Sequence, residues 1–121
     1  MAKTVLIVED NALNMKLFGD LLEARGYATL RASEGNDALA IASRTRPDLV
    51  LMDIQLPGLS GMEVTRRLKA DPALRDIPVV AVTAFALRGD EARILESGCS
   101  AYVAKPVSID RLMDVVDRHA A

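Results

Sequence analysis

Short apolar runs recur along the chain at intervals that few folds accommodate: "VLIV" at 5–8, "DLVLMD" at 48–53, "IPVVAVT" at 77–83 and "AYVAK" at 101–105, with a weaker "YATLRAS" at 27–33. An apolar run without polar alternation reads as a strand covered on both faces. Longer amphipathic stretches separate the runs, which sets a repeated βαβα rhythm to the end of the chain. Strands joined by such crossovers lie parallel, because the right-handed connection returns each strand in the same direction. The expected fold is therefore a doubly wound α/β domain, with a five-stranded parallel sheet between two helix layers. A chain of 121 residues is long enough for one core and too short for two, so residues 1–121 are expected to form a single domain.

Helical periodicity is clearest at the end. Ile109, Leu112, Met113 and Val116 fall at i, i+3, i+4 and i+7, with Ser108 as the N-cap. Leu13, Leu17, Leu21 and Ala24 suggest the buried stripe of the first helix, which Gly26 closes. Pro47, Pro57, Pro72, Pro78 and Pro106 all fall outside the proposed helix interiors. The net charge of −2 offers no broad positive field, which argues against nucleic acid as a partner. Cys99 has no second cysteine to pair with, and no apolar run approaches the length of a membrane span or a signal segment. A reduced, cytoplasmic protein without membrane insertion is expected.

In a doubly wound sheet the carboxyl ends of the strands form one edge, and ligands bind in the crevice above it. The first strand runs into Glu9 and Asp10, the third ends on Asp53, the fourth on Thr83 and the fifth on Lys105. Taken singly each residue has an ordinary role: Asp10 or Asn11 as a helix cap, Asp53 as a loop acid, Thr83 as a strand-end hydroxyl, Lys105 as a solvated tip. Together they would meet at one edge. Clustered carboxylates repel unless a cation sits among them, and hard oxygen ligands suit Mg²⁺. A carboxylate beside such a metal is also a nucleophile toward a phosphoryl group, whose oxygens a lysine and a hydroxyl stabilise.

"VLIVEDN", "DLVLMDIQLPGLSGMEV", "VVAVTAFA" and "AYVAKPV" resemble the signatures of bacterial two-component response-regulator receiver domains, in order and spacing, over essentially the whole chain. The resemblance implies the CheY-like strand order 2-1-3-4-5. It further implies that Asp53 is the phosphoacceptor, that Glu9, Asp10, Asp53 and the backbone carbonyl of Gln55 hold Mg²⁺, and that Thr83 and Lys105 contact the phosphoryl group. Tyr102 is then the switch aromatic, and the Lys105–Pro106 peptide is cis. Gln55 and Phe85, two positions beyond Asp53 and Thr83, would flank the path of an attacking water. Taken together, "VEDNALNMKLFGDLLEARGY", "LMDIQLPGLSGMEVT" and "VVAVTAFALRGDEARILESGC" look most like stand-alone regulators of the cell cycle and polarity. Such a module is no enzyme beyond its own phosphorylation and dephosphorylation. Its expected partners are sensor histidine kinases, kinase-like proteins or a histidine phosphotransfer protein, with the chain a monomer recruited to cell poles. Output is expected at the surface of the fourth helix, fifth strand and fifth helix, since Leu87, Arg88, Asp90, Glu91 and Ile94 are not all accommodated by one buried stripe, which leaves apolar area for a partner.

Within this family a phosphorelay intermediate and a chemotaxis regulator are the alternatives. Outside it, a Mg²⁺-dependent aspartyl phosphatase needs a second acid two residues past the nucleophile, where this chain has Gln55. A flavin-binding module needs a hydroxyl- and glycine-rich phosphate loop after the first strand, where "EDNALN" would repel the phosphate. His119 has no acid at ligand spacing and reads as a helix-end residue.

Overall fold

Uninterrupted apolar strands need cover on both faces, and the structure, a computed structural model describing residues 2–84 and 90–120, supplies it. The elements alternate as expected: β1 (Thr4–Val8), α1 (Ala12–Ala24), β2 (Ala28–Ala32), α2 (Gly35–Thr45), β3 (Leu49–Asp53), α3 (Gly61–Ala70), β4 (Val79–Thr83), α4 (Asp90–Glu96), β5 (Ala101–Ala104) and α5 (Ile109–Ala120). All neighbouring strands pair in parallel, in the order β2-β1-β3-β4-β5. This is the order that the resemblance implies. Phe85, Leu87 and Arg88 lie outside the described residues, as does the side chain of Asp90.

Side chains alternate between the two faces of each strand, which divides the core in two. Leu6, Val8, Val50, Met52, Val79 and Ala81 pack with residues of α2, α3 and α4 such as Ala38, Val64, Leu68 and Ile94. Val5, Ile7, Leu49, Leu51, Val80 and Val82 pack with Phe18 and Leu22 of α1 and Leu112, Met113 and Val116 of α5. β3 and β4, in the middle of the sheet, are buried throughout, whereas the edge strand β2 leaves Ala28 and Arg31 exposed.

The buried face of α1 differs from the expected one. Phe18, Gly19 and Leu22 are buried, while Leu13 and Leu17 are 79% and 46% exposed and Ala24 is exposed. Two apolar stripes overlap on this helix, and docking selected the one carrying Met15, Phe18 and Leu22, with Leu21 of the expected stripe half-buried beside it. That rotation buries an aromatic ring and turns Gly19 toward β2. A Cβ there would lie 2.2 Å from Nη2 of Arg31, so only glycine admits the Arg31 side chain at that spot. In α5 the expected stripe is buried except at its first member, Ile109, which is 50% exposed; the Ser108 hydroxyl does cap the helix, accepting from the Arg111 N–H. Gly26, at φ +95°, ends α1 as expected, in a left-handed conformation that other residues adopt at a cost.

One polar tie joins α5 to the start of β2. Both oxygens of Asp117 are used: the Tyr27 hydroxyl donates to Oδ1 at 2.6 Å and Arg25 Nη2 to Oδ2 at 2.7 Å. Burial, and then the hydrogen bond to Asp117, push the Tyr27 phenol up to about 12. A folded pKa above the ordinary value contributes stability that is complete below pH 10 and disappears as pH rises through 12. Tyr27→Phe is expected to lower the unfolding free energy by about 1 kcal/mol at neutral pH and to flatten the alkaline fall, as measured by urea denaturation across pH.

Candidate functional site

β1, β3, β4 and β5 each deliver a polar residue to the carboxyl edge of the sheet. Asp53 is the last residue of β3 and is 3% exposed. Glu9 and Lys105 stand just past the ends of β1 and β5, and Thr83 closes β4, fully buried. The Lys105 N–H donates to the Thr83 carbonyl at 2.8 Å, which aligns the two strand ends. Lys105 Nζ then lies 3.7 Å from Glu9 Oε1 and 3.6 Å from Asp53 Oδ2. Asp10 is exposed at the rim, with a carboxylate oxygen that lies, like those of Glu9 and Asp53, within a cluster no wider than 4.8 Å. Glu9, Asp10, Asp53 and Lys105, scattered in the sequence, thus meet at one place, at the same sheet edge where Thr83 ends β4. The Lys105–Pro106 peptide is cis.

Local chain geometry orients the acids. The Gln55 N–H donates to Asp53 Oδ1 at 3.0 Å and turns Oδ2 toward the lysine. The Asn11 N–H donates to Glu9 Oε2 at 3.2 Å, and the Asn11 side chain caps α1 by accepting from the Asn14 N–H at 3.1 Å. Asn11 therefore ties the helix start to the Glu9 carboxylate. Its cap role is visible in the sequence; its hold on Glu9 is not. Gly61 at the start of α3 sits flush against the Asp53 backbone, its N–H donating to the Ile54 carbonyl at 3.1 Å. Beside the acids, Asn14, Leu17, Phe18, Lys105, Pro106 and Val107 line a groove of about 310 Å³. The exposed Leu17 belongs to it, a feature hidden in the sequence because that residue reads equally well as core.

Three carboxylates against one lysine leave the cluster short of positive charge. Glu9 Oε1 is buried with no hydrogen-bond partner. Burial pushes the Glu9 carboxyl up to about 7, and Asp53 adds to the rise, since a hydrogen bond between two carboxyls exists only when one holds a proton. An orphaned buried oxygen among hard oxygen donors fits a small divalent cation, and Mg²⁺ is bound by such sets. The folded protein binds the extra proton between pH 4.5 and about 7, so the stability contributed by protonated Glu9 is complete at the acid end and is lost as pH rises through 7. Glu9→Gln removes this loss, because its amide donates to Asp53 without a charge. In chelator at pH 8 it is expected to be more stable than the parent by roughly 1–3 kcal/mol, with the difference vanishing near pH 4. A thermal melt series across pH decides this, and a variant that melts below the parent at pH 8 contradicts it.

Comparison with known proteins places this arrangement among relatives. The description "Response regulator receiver domain" matches residues 5–117. The polar-differentiation response regulator DivK of Brucella anthropi is 60% identical over 116 residues, which cover 96% of this chain and 94% of that protein. DivK of Brucella ovis is 59% identical over the same share of both chains. Among solved structures, the receiver domain of the sensor histidine kinase PA1611 from Pseudomonas aeruginosa PAO1, with a magnesium ion coordinated in its active-site cleft, is 35% identical with a TM-score of 0.91, covering 99% of this chain and 98% of that one. A response regulator from Chloroflexus aurantiacus is 28% identical with a TM-score of 0.95 over the same shares.

Proposed function

The chain belongs to the response regulator receiver domain family, and from that premise we propose that it is a single-receiver switch in which Asp53 accepts a phosphoryl group and the phosphorylated form changes which protein the domain binds. The carrying observation is the meeting of Glu9, Asp10, Asp53 and Lys105 at one sheet edge, with Asp53 Oδ2 turned to the lysine.

Asp53 Oδ2 attacks the phosphorus of a phosphohistidine on a kinase or phosphotransfer protein. The P–O bond forms as the P–N bond breaks, and the electron pair leaves with the imidazole nitrogen, which takes up a proton. The Gln55 N–H holds the other Asp53 oxygen through the step. Lys105 neutralises charge on the phosphoryl oxygens, and the Thr83 hydroxyl donates to one of them. Glu9, Asp10, Asp53 and the Gln55 carbonyl would hold a Mg²⁺ ion, which would supply the remaining positive charge for those oxygens. Movement of Thr83 toward the phosphoryl group makes room for Tyr102 to turn inward, which alters the surface of α4, β5 and α5.

The donor docks across the groove that opens beside Lys105, where Leu17 leaves apolar area uncovered. The partners are histidine kinases or kinase-like proteins. The polar-differentiation role named for the Brucella relatives directs the output to cell-cycle or polarity control, with a monomer recruited to the pole by its partners. No described helix is long and apolar enough to cross a membrane.

The test is the intact mass of the protein after incubation with a small phosphodonor or an autophosphorylated histidine kinase. Phosphoryl uptake with Mg²⁺, lost on chelation, is expected. Equal uptake in chelator contradicts the metal role, and no uptake from either donor contradicts the switch.

A further inference from the structure

Glu9 and Asp10, two of the three clustered acids, stand on a short piece of chain that is held at both ends. At one end the Glu9 N–H donates to the Ala32 carbonyl at 3.0 Å, which carries the pairing of β1 with β2 one residue past the strand. At the other end Asn11 is the anchor. Its carbonyl accepts from the Met15 N–H at 2.9 Å, its Oδ1 accepts from the Asn14 N–H at 3.1 Å, and its own N–H donates to Glu9 Oε2 at 3.2 Å. The first two bonds fix the Asn11 backbone in the extended conformation of an N-cap, at φ −84° and ψ 120°, and so fix the direction of the N–H that makes the third. With Oε2 engaged, the buried Oε1, which has no hydrogen-bond partner, is the oxygen left over. An aspartate at position 11 would cap the helix equally well, but it would add a fourth carboxylate next to a cluster already short of positive charge. Asparagine caps without that charge.

We propose, on the metal role given to Glu9 and Asp10 above, that Asn11 is a positioning residue for the cation: by capping α1 its side chain sets the backbone N–H that holds Glu9 Oε2, and so keeps Oε1 free to bind Mg²⁺ beside Asp10 and Asp53. Asn11 supplies no ligand itself. Acids already held in place bind an ion more tightly than acids the ion must first order, because the ordering cost is met when the chain folds. Deleting an outer hydrogen bond to a metal-binding side chain costs roughly 10- to 100-fold in affinity. Loss of the Asn11 side chain loosens the N–H without deleting it, so the expected loss is smaller, roughly three- to tenfold.

Calorimetric titration of Mg²⁺ into the purified protein tests this without any phosphoryl transfer. Asn11→Ala and Asn11→Gly are expected to bind Mg²⁺ roughly three- to tenfold more weakly than the parent, and Asn11→Ser, which keeps a side-chain acceptor at the cap, about as tightly as the parent. Glycine is itself a good N-cap, so Asn11→Gly separates the lost hold on Glu9 from a loss of helix stability. Ser108→Ala, which removes the α5 cap at the Arg111 N–H, is expected to leave Mg²⁺ affinity unchanged. Uptake from a small phosphodonor in Asn11→Ala should need correspondingly more Mg²⁺ for half its maximal rate and reach the parent rate at saturation. Unchanged affinity in both Asn11→Ala and Asn11→Gly overturns the positioning role and leaves the metal role intact. Equal weakening in Asn11→Ser or in Ser108→Ala overturns it as well. A parent that binds no Mg²⁺ overturns the positioning role and the metal role together.

Discussion

Asp53→Asn is expected to accept no phosphoryl group from either a small phosphodonor or a histidine kinase, while remaining as well folded as the parent. The amide keeps the shape of the side chain and one carbonyl oxygen, so the Gln55 N–H retains its acceptor. Its nitrogen has no lone pair free for attack on phosphorus, and the charge that faced Lys105 is gone. Stability moves the other way. Removing one of three clustered carboxylates relieves repulsion, and the new amide donates to the otherwise orphaned Glu9. The variant should therefore melt at or above the parent temperature in chelator and gain less from added Mg²⁺, since a ligand stabilises only what it binds. Intact mass and thermal melts measure both halves. Acid-labile phosphate retained by Asp53→Asn would move the acceptor to another residue, and a large fall in melting temperature would mean that lost uptake reports unfolding instead of chemistry.

Gly61→Ala is expected to be the most damaging glycine-to-alanine change among the described residues. A Cβ at position 61 would lie 2.2 Å from the Asp53 carbonyl oxygen, 2.8 Å from Ile54 Cα and 3.0 Å from the Asp53 carbonyl carbon. All three are backbone atoms, so no side-chain rotation relieves the contact. The start of α3 must withdraw from the end of β3, and the Gly61 N–H then loses the Ile54 carbonyl it now holds at 3.1 Å. Overpacking against backbone plus a lost hydrogen bond should cost roughly 3 kcal/mol or more, a fall of roughly 10–20 °C in Tm. Variants that stay folded should also take up phosphoryl more slowly, by roughly 100-fold, because the displaced backbone carries the acceptor carboxylate with it. Gly58→Ala is the control. Its Cβ would meet nothing within 4 Å, so only the positive φ of +70° opposes it, at a cost of roughly 1–2 kcal/mol. Equal melting temperatures for the two variants would mean that the Gly61 contact yields without strain.

Fold class and site composition were legible in the sequence for the same reason. A strand buried on both faces excludes polar side chains, so where polar residues reappear marks where the strand ends, and parallel strands all end on the same edge. Glu9, Asp10, Asp53, Thr83 and Lys105 need only that rule to be gathered. The strand order came from the resemblance instead, because the βαβα rhythm alone is compatible with several orders.

The orientation of α1 shows where sequence alone runs out. Leu13, Leu17 and Leu21 satisfy helical periodicity as well as Met15, Phe18 and Leu22 do, and nothing within the helix distinguishes the stripes. The outcome depends on Val5 and Ile7 of β1 facing the aromatic ring. Contacts between elements are similarly silent in the sequence: the Gly61 backbone against Asp53, and the burial that lifts Glu9. Sequence by itself determined what is locally periodic and chemically typed, namely the alternation of strand and helix, their two-sided burial and the residue types at each strand end. Tertiary structure decided which of two equivalent helix faces is buried, which backbones touch and how far each carboxylate is desolvated. Those choices depend on the shape and charge of the opposing element, which no local pattern contains.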